Sequence, residues 1–275
     1  MSSIVILYAF SMLAYAAAAG LAWRLLQGRS TPRWGGVRSL AVVFALGLHG
    51  LLWHDAVFGS QGLRFGFAHA LSLTLWLVAL LTWLESLQNG TLVLEVVAYP
   101  MAAVALPLPL MFKGSLAHVD VDSPWFKVHL VTAIGAYSLM TVAVAHAVLM
   151  AAQEKSLHVP SRKPLLALDR LPPLIVMERL LFRIVWLGFG LLTLSLLTGV
   201  AFSEASSHEG LRFDHKTIFA LVSWVLFGAL LFGRHAYGWR GKMALRWTLS
   251  GFATLLLAYI GSRFVLEVIL HRPVV

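Results

Sequence analysis

The chain has 275 residues, of which 59% are hydrophobic and 12% charged. A soluble domain carries about a quarter charged residues, so this supply is too small to cover a soluble surface. The net charge is +9 and cysteine is absent, which excludes disulfides, iron–sulfur clusters, zinc–thiolate sites, cysteine nucleophiles and covalent c-type haem attachment to this chain.

A helix crossing the hydrocarbon core needs roughly 20 apolar residues. Eight stretches qualify, and they predict an all-α polytopic membrane protein, a single transmembrane domain over 1–275. The first covers 4–23. No basic residue precedes its apolar run, so it reads as a span and not as a cleaved signal peptide. The second and third cover 37–53 and 67–84. The fourth covers 92–112, where Pro107 and Pro109 predict a kink or an end. The remaining four cover 125–152, 181–203, 216–233 and 245–270. The longest connection, 153–180, contains Pro160, Pro164, Pro172 and Pro173. Turns or short helices are expected there.

The connections 1–2, 5–6 and 7–8 share one side and hold 14 of the 21 Lys and Arg. The positive-inside rule places that side in the cytoplasm. The N-terminus and C-terminus are then both outside (periplasmic), and 153–180 is the longest cytoplasmic loop. The inner side also holds 5 of the 12 acidic residues, and 14 − 5 gives +9; the outer side holds 7 of each sign. The net charge is therefore an orientation signal, and no nucleic acid partner is implied. Trp23, Trp53, Trp83, Trp125 and Trp239 fall near helix ends, as an aromatic belt in the bilayer would.

There are 11 histidines, and this topology gives each a depth. His129 lies inside the outer end of the fifth span, and His215 at the outer start of the seventh. His69 starts the third span, while His49 and His54 lie near the outer end of the second. His118 and His208 fall in outer loops. His146, His158 and His235 are inner, and His271 is in the C-terminal tail. A bis-histidine haem needs two imidazoles at one height on different helices. His129 and His215 meet that condition within about one helical turn, and His49 or His69 could replace His215. His146 cannot join His129, because 17 residues on one helix span roughly 25 Å. No His-Glu-x-x-His and no phosphate-binding Gly-rich loop occurs.

Two charges fall inside spans. Arg263 is open to two readings: an ion pair with Glu267 at i+4, or a partner for a haem propionate. Glu95 is expected to snorkel from the inner end of the fourth span. Tyr137 and Ser138, in mid-span, read as helix-packing residues. No nucleophile–base–acid set shares one depth, so an enzyme is not expected.

Several strings carry a resemblance. "FKVHLVTAIGAYSLMTVAVAHAVLM" (126–150) resembles the histidine-bearing helix of the cytochrome c assembly membrane family. "LPPLIVMERLLFRIVWLGFGLLTLSLLTG" (171–199) resembles the loop and helix of its HemX-like and YpjD-like branch. "HKTIFALVSWVLFGALLFGR", "GWRGK" and "LAYIGSRFVLEVIL" continue the match to 270, and "LHGLLWH" (48–54) is the best-matching piece of the first half. The chain is similar above all to the YpjD-like branch.

The resemblance implies a haem-handling protein of the bacterial inner membrane, serving cytochrome c assembly. Haem b is then the implied cofactor, in an outer-leaflet pocket between spans five and seven. His129 matches the first periplasmic ligand and His215 the second. Apocytochrome c or other cytochrome c maturation proteins are the implied partners. Haem-delivering members carry a tryptophan-rich outer loop. The matching loop here, 204–214, has no tryptophan.

The alternative is a cofactor-free regulatory or interaction protein. Its basic cytoplasmic loops, around 178–183 and 239–242, would dock a partner or anionic lipid. A transporter has less support, since only one span is broken and no repeat is visible.

Overall fold

A computed structural model describes residues 2–29, 33–58, 64–89, 91–116, 123–158, 171–207 and 215–270. His118, His208 and His271, together with Pro160, Pro164 and 208–214, lie outside the described residues. Eight described helices are long and apolar enough to cross a membrane.

The chain forms two compact units, Met1–Leu116 with Ala152–Pro173 and Ala117–Ala151 with Leu174–Val275. The first is built on α1 (Ser2–Leu26), α2 (Arg33–Phe58), α3 (Phe67–Asn89), α4 (Leu92–Ala105) and the short α5 (Leu108–Met111). Helix α1 packs on α2 and α4, and α3 packs on both α2 and α4. Fully buried Ala18, Ala22 and Ala45 let backbones approach closely, which is how helices associate where lipid weakens the hydrophobic drive. Ile4, Val5, Leu40 and Leu51 stay exposed on the outside, a surface suited to acyl chains.

The expected break in span four is present. Helix α4 ends at Ala105, and α5 resumes at Leu108 with Pro107 ahead of it. Pro107 and Pro109 have no N–H to donate, so the ladder cannot run through them. A two-stranded ribbon, β1 (Arg64–Phe65) and β2 (Ser115–Leu116), ties the α2–α3 connection to the segment after α5. Gly114 beside it has φ +65°, and a Cβ there would stand 2.9 Å from the Gly66 nitrogen. Only glycine fits that turn.

The second unit holds α6 (Pro124–His158) as far as Ala151, α7 (Leu174–Ser207), α8 (His215–Tyr237) and α9 (Lys242–Leu256). Helix α6 has 35 residues and α7 has 34. The 153–180 connection is therefore shorter than expected: α6 continues to His158 and α7 begins at Leu174. Trp224 of α8 donates from Nε1 to Thr193 Oγ1 of α7 at 2.9 Å and stacks on Phe189. Ser223 donates to the Gly251 carbonyl of α9 at 2.9 Å, again a small-residue crossing.

Beyond α9 the last span changes its winding. A π-helical turn at Leu257–Gly261 and another at Val265–Ile269 flank α10 (Ser262–Phe264). The hydroxyl of Tyr137, on α6, donates to the Leu255 carbonyl at 2.5 Å, just before the first π turn. Tyr137 is thus a packing residue with one specific bond, in line with the sequence reading.

Candidate functional site

His129 sits one turn and a half into α6 and is half-buried. Its Nδ1 lies 2.9 Å from the carbonyl oxygen of Ser195 on α7. A carbonyl only accepts, so Nδ1 carries the proton and Nε2 keeps its lone pair. Metal-binding histidines commonly have this arrangement: the outer nitrogen donates to a fixed acceptor and the inner one faces the ion. The ring lies against Gly199, where a Cβ would stand 3.1 Å from His129 Cε1. Its hydrogen-bond partner thus comes from span six.

His215 is the first residue of α8, and its side chain is exposed. Arg263 shows the i+4 pairing, with its Nη1 3.9 Å from Glu267 Oε1 and its guanidinium 5.6 Å from the Tyr259 ring centre. The two π turns around it make this the least regular stretch of any described span. Such turns recur at functional positions.

His49 and His69 belong to the first unit, and both are buried. His49 uses both ring nitrogens. Tyr15 Oη lies 3.2 Å from Nδ1, and Ser72 Oγ lies 2.9 Å from Nε2. Service as an iron ligand would have to break one of these bonds. His69 packs its ring 6.2 Å from that of Phe65, and its carbonyl accepts from Trp53 Nε1 at 3.1 Å.

Glu95 corrects an expectation. It does not snorkel; its side chain is 0% exposed and meets Arg38 Nη1 at 2.8 Å. Ser86 Oγ donates to its other oxygen. Reach decides the difference: α2 offers a guanidinium at that depth, and a paired buried charge is tolerated where a lone one is not. No local spacing could show this, because the partners lie 57 residues apart.

The end of the second unit where α7 begins and α8 ends holds another ion cluster. Glu178 on α7 is buried and meets Arg234 Nη1 of α8 at 2.5 Å and Arg240 Nε at 3.9 Å. The Arg234 guanidinium lies 4.7 Å from the Phe182 ring centre. Trp239 folds back over Gly233, whose Cβ position would lie 2.3 Å from the indole, and packs on Trp247. Among the described residues no group of three or more His, Asp or Glu could hold a metal ion.

Eight apolar helices with paired charges inside them define a multi-pass membrane protein. The chain belongs to the cytochrome C assembly protein family, whose profile matches residues 37–270. It is 29% identical to the inner membrane protein YpjD of Escherichia coli K12 over 243 residues, 86% of this chain and 89% of that one. It is 32% identical to the cytochrome c biogenesis protein CcsA of Gloeothece citriformis over 103 residues, 38% of this chain and 31% of that one. A second CcsA, from Prochlorococcus marinus MIT 9515, is 33% identical over 88 residues, 32% of this chain and 28% of that one. No solved structure matches. The protein is a multi-pass protein of the inner membrane, linked by family to cytochrome c biogenesis.

Proposed function

We propose that this protein binds haem b in the outer leaflet of the inner membrane and holds it for cytochrome c assembly. The observation that carries this reading is the His129–Ser195 hydrogen bond, which leaves Nε2 as the free donor of a fixed imidazole. His215, exposed at the start of α8, supplies the second imidazole. Arg263, loosely paired with Glu267, supplies a cation for a propionate. A bis-histidine haem has no open coordination position, so its chemistry when bound is storage and transfer. Residues of this chain orient, charge-match and screen the group. The periplasmic placement of both termini belongs to the same reading, as do apocytochrome c and other maturation proteins as clients.

The test is an absorption spectrum of the purified protein after expression with added haem. A bis-histidine b-type spectrum is expected, with loss of signal in His129→Ala. A wild-type protein that stays colourless on haem titration sinks the reading.

A second reading rests on the Glu178–Arg234–Arg240 cluster, which orders a basic inner rim able to dock a partner or anionic lipid. It expects Glu178→Gln to abolish function in complementation while His129→Ala does not.

A further inference from the structure

The turn from α8 into α9 carries a run of cations that the haem reading does not use. From Arg234 to Arg246 the sequence has four Lys or Arg and no acid. Arg234 is committed inward: its Nη1 meets Glu178 at 2.5 Å and donates to the Trp239 carbonyl at 3.4 Å. That leaves Arg240, Lys242 and Arg246, all exposed. Arg240 reaches Glu178 only at 3.9 Å and keeps 63% of its side chain exposed.

The turn holds these cations on a fixed backbone. Gly238 and Gly241 take φ +67° and +57°, which glycine adopts without strain. The Trp239 N–H donates to the Gly233 carbonyl at 3.2 Å. The Trp239 ring packs on Trp247, with centres 5.1 Å apart. Arg240 follows the first tryptophan and Arg246 precedes the second, so the ring contact brings their backbones together. Lys242 lies four residues ahead of Arg246, on the same face of α9. That face continues as hydrocarbon: Leu249, Ala253 and Leu257 follow Arg246 at helical spacing, and all three are exposed. From Leu249 to Leu257 is about 12 Å, close to the roughly 15 Å of one leaflet's hydrocarbon. An occupant of this stripe is anionic at one end and apolar along the rest. A free anion or an acidic protein segment matches only its first part.

We propose that this face seats an anionic phospholipid, its headgroup on Arg240, Lys242 and Arg246 and an acyl chain along Leu249, Ala253 and Leu257. The headgroup phosphate accepts charge-assisted bonds from the guanidinium and ammonium groups. Basic clusters where spanning helices meet the headgroups recognise lipids in this way. Trp239 and Trp247 stand at the same level, where indole rings gather in membrane proteins. The proposal rests on the reading of the basic rim given above and names its ligand. That reading is scored by complementation and this one by lipid adducts, so the failure of either is told apart from the failure of the other.

Native mass spectrometry of the detergent-purified full chain, titrated with phosphatidylglycerol, tests it. Wild type should hold one phosphatidylglycerol at least about tenfold more tightly than phosphatidylcholine, whose choline cancels the phosphate charge. Each cation beside an anionic headgroup contributes about fivefold. The triple variant Arg240→Gln, Lys242→Gln, Arg246→Gln should therefore bind at least about tenfold more weakly. Arg240→Lys with Arg246→Lys keeps the charges and should keep the adduct. Arg24→Gln, Arg29→Gln, Arg33→Gln removes as many exposed cations from the first unit and should bind as wild type does. Equal losses in the two triple variants overturn the proposal, as do equal wild-type affinities for the two lipids. Displacement of the lipid by inorganic phosphate or by polyglutamate overturns it too, and assigns the patch to a free anion or to an acidic protein. The comparison of lipids uses wild type alone, so it decides even where a variant misfolds.

Discussion

The ring of His129 is pinned to the backbone of the next helix, 66 residues away, by a 2.9 Å bond from Nδ1 to the Ser195 carbonyl. The acceptor is main chain, so no side-chain substitution at Ser195 removes it directly. The ring's own identity is the experimental handle. His129→Gln keeps a polar side chain but lacks the imidazole lone pair. It should lose the b-type spectrum while the helices melt within a few degrees of wild type. Unchanged haem content in that variant would remove His129 from the ligand set.

The room for that ring depends on Gly199. A Cβ at this position stands 3.1 Å from Cε1 and 3.2 Å from Nδ1, so Gly199→Val must push the imidazole off its carbonyl. Overpacking of this kind costs about 1–3 kcal/mol. Haem retention should fall by about tenfold or more for each 1.4 kcal/mol of that strain borne by the ligand geometry. Haem titration of Gly199→Val against wild type measures it, and equal affinities would show that the ring is free to move.

The Arg38–Glu95 pair gives a stability prediction. Removing one partner leaves a lone buried charge, at about 3–5 kcal/mol. Arg38→Met alone and Glu95→Leu alone should each destabilise by that order in detergent unfolding. The double variant should recover most of the loss, since an apolar pair of similar volume needs no desolvation. Additive losses in the double variant would show that the pair is not coupled.

Orientation can be read chemically, because the chain has no cysteine to give background labelling. Lys127→Cys and Lys242→Cys are both at exposed positions. The charge distribution expects an impermeant maleimide added to intact spheroplasts to label the first and spare the second. The reverse pattern would place both termini in the cytoplasm.

The spans were legible because hydropathy and length need no partner to be seen, and the break at Pro107 was legible because proline acts on its own backbone. What stayed hidden depended on partners distant in sequence. Charge counting assigns Arg38, Glu95 and Glu178 to one side of the membrane, and does not show that all three are buried in ion pairs. Depth alone makes His49 a candidate ligand, and depth says nothing of Tyr15 and Ser72 closing on its two nitrogens. His129 was placed correctly in its span, but its bond to α7 depends on how the helices are rotated. A span that is apolar all round does not encode that rotation.

The 35 residues of α6 and the 34 of α7 make rods about 50 Å long against an oily slab about 30 Å thick. Part of each rod must stand among headgroups or in the water beyond. Those stretches project as rigid posts and not as slack chain. A soluble client that grips a post has no loop to freeze, and so is spared about 1–2 kcal/mol of ordering for each backbone residue it touches. Recognition outside the membrane is therefore prepared by the same helices that cross it.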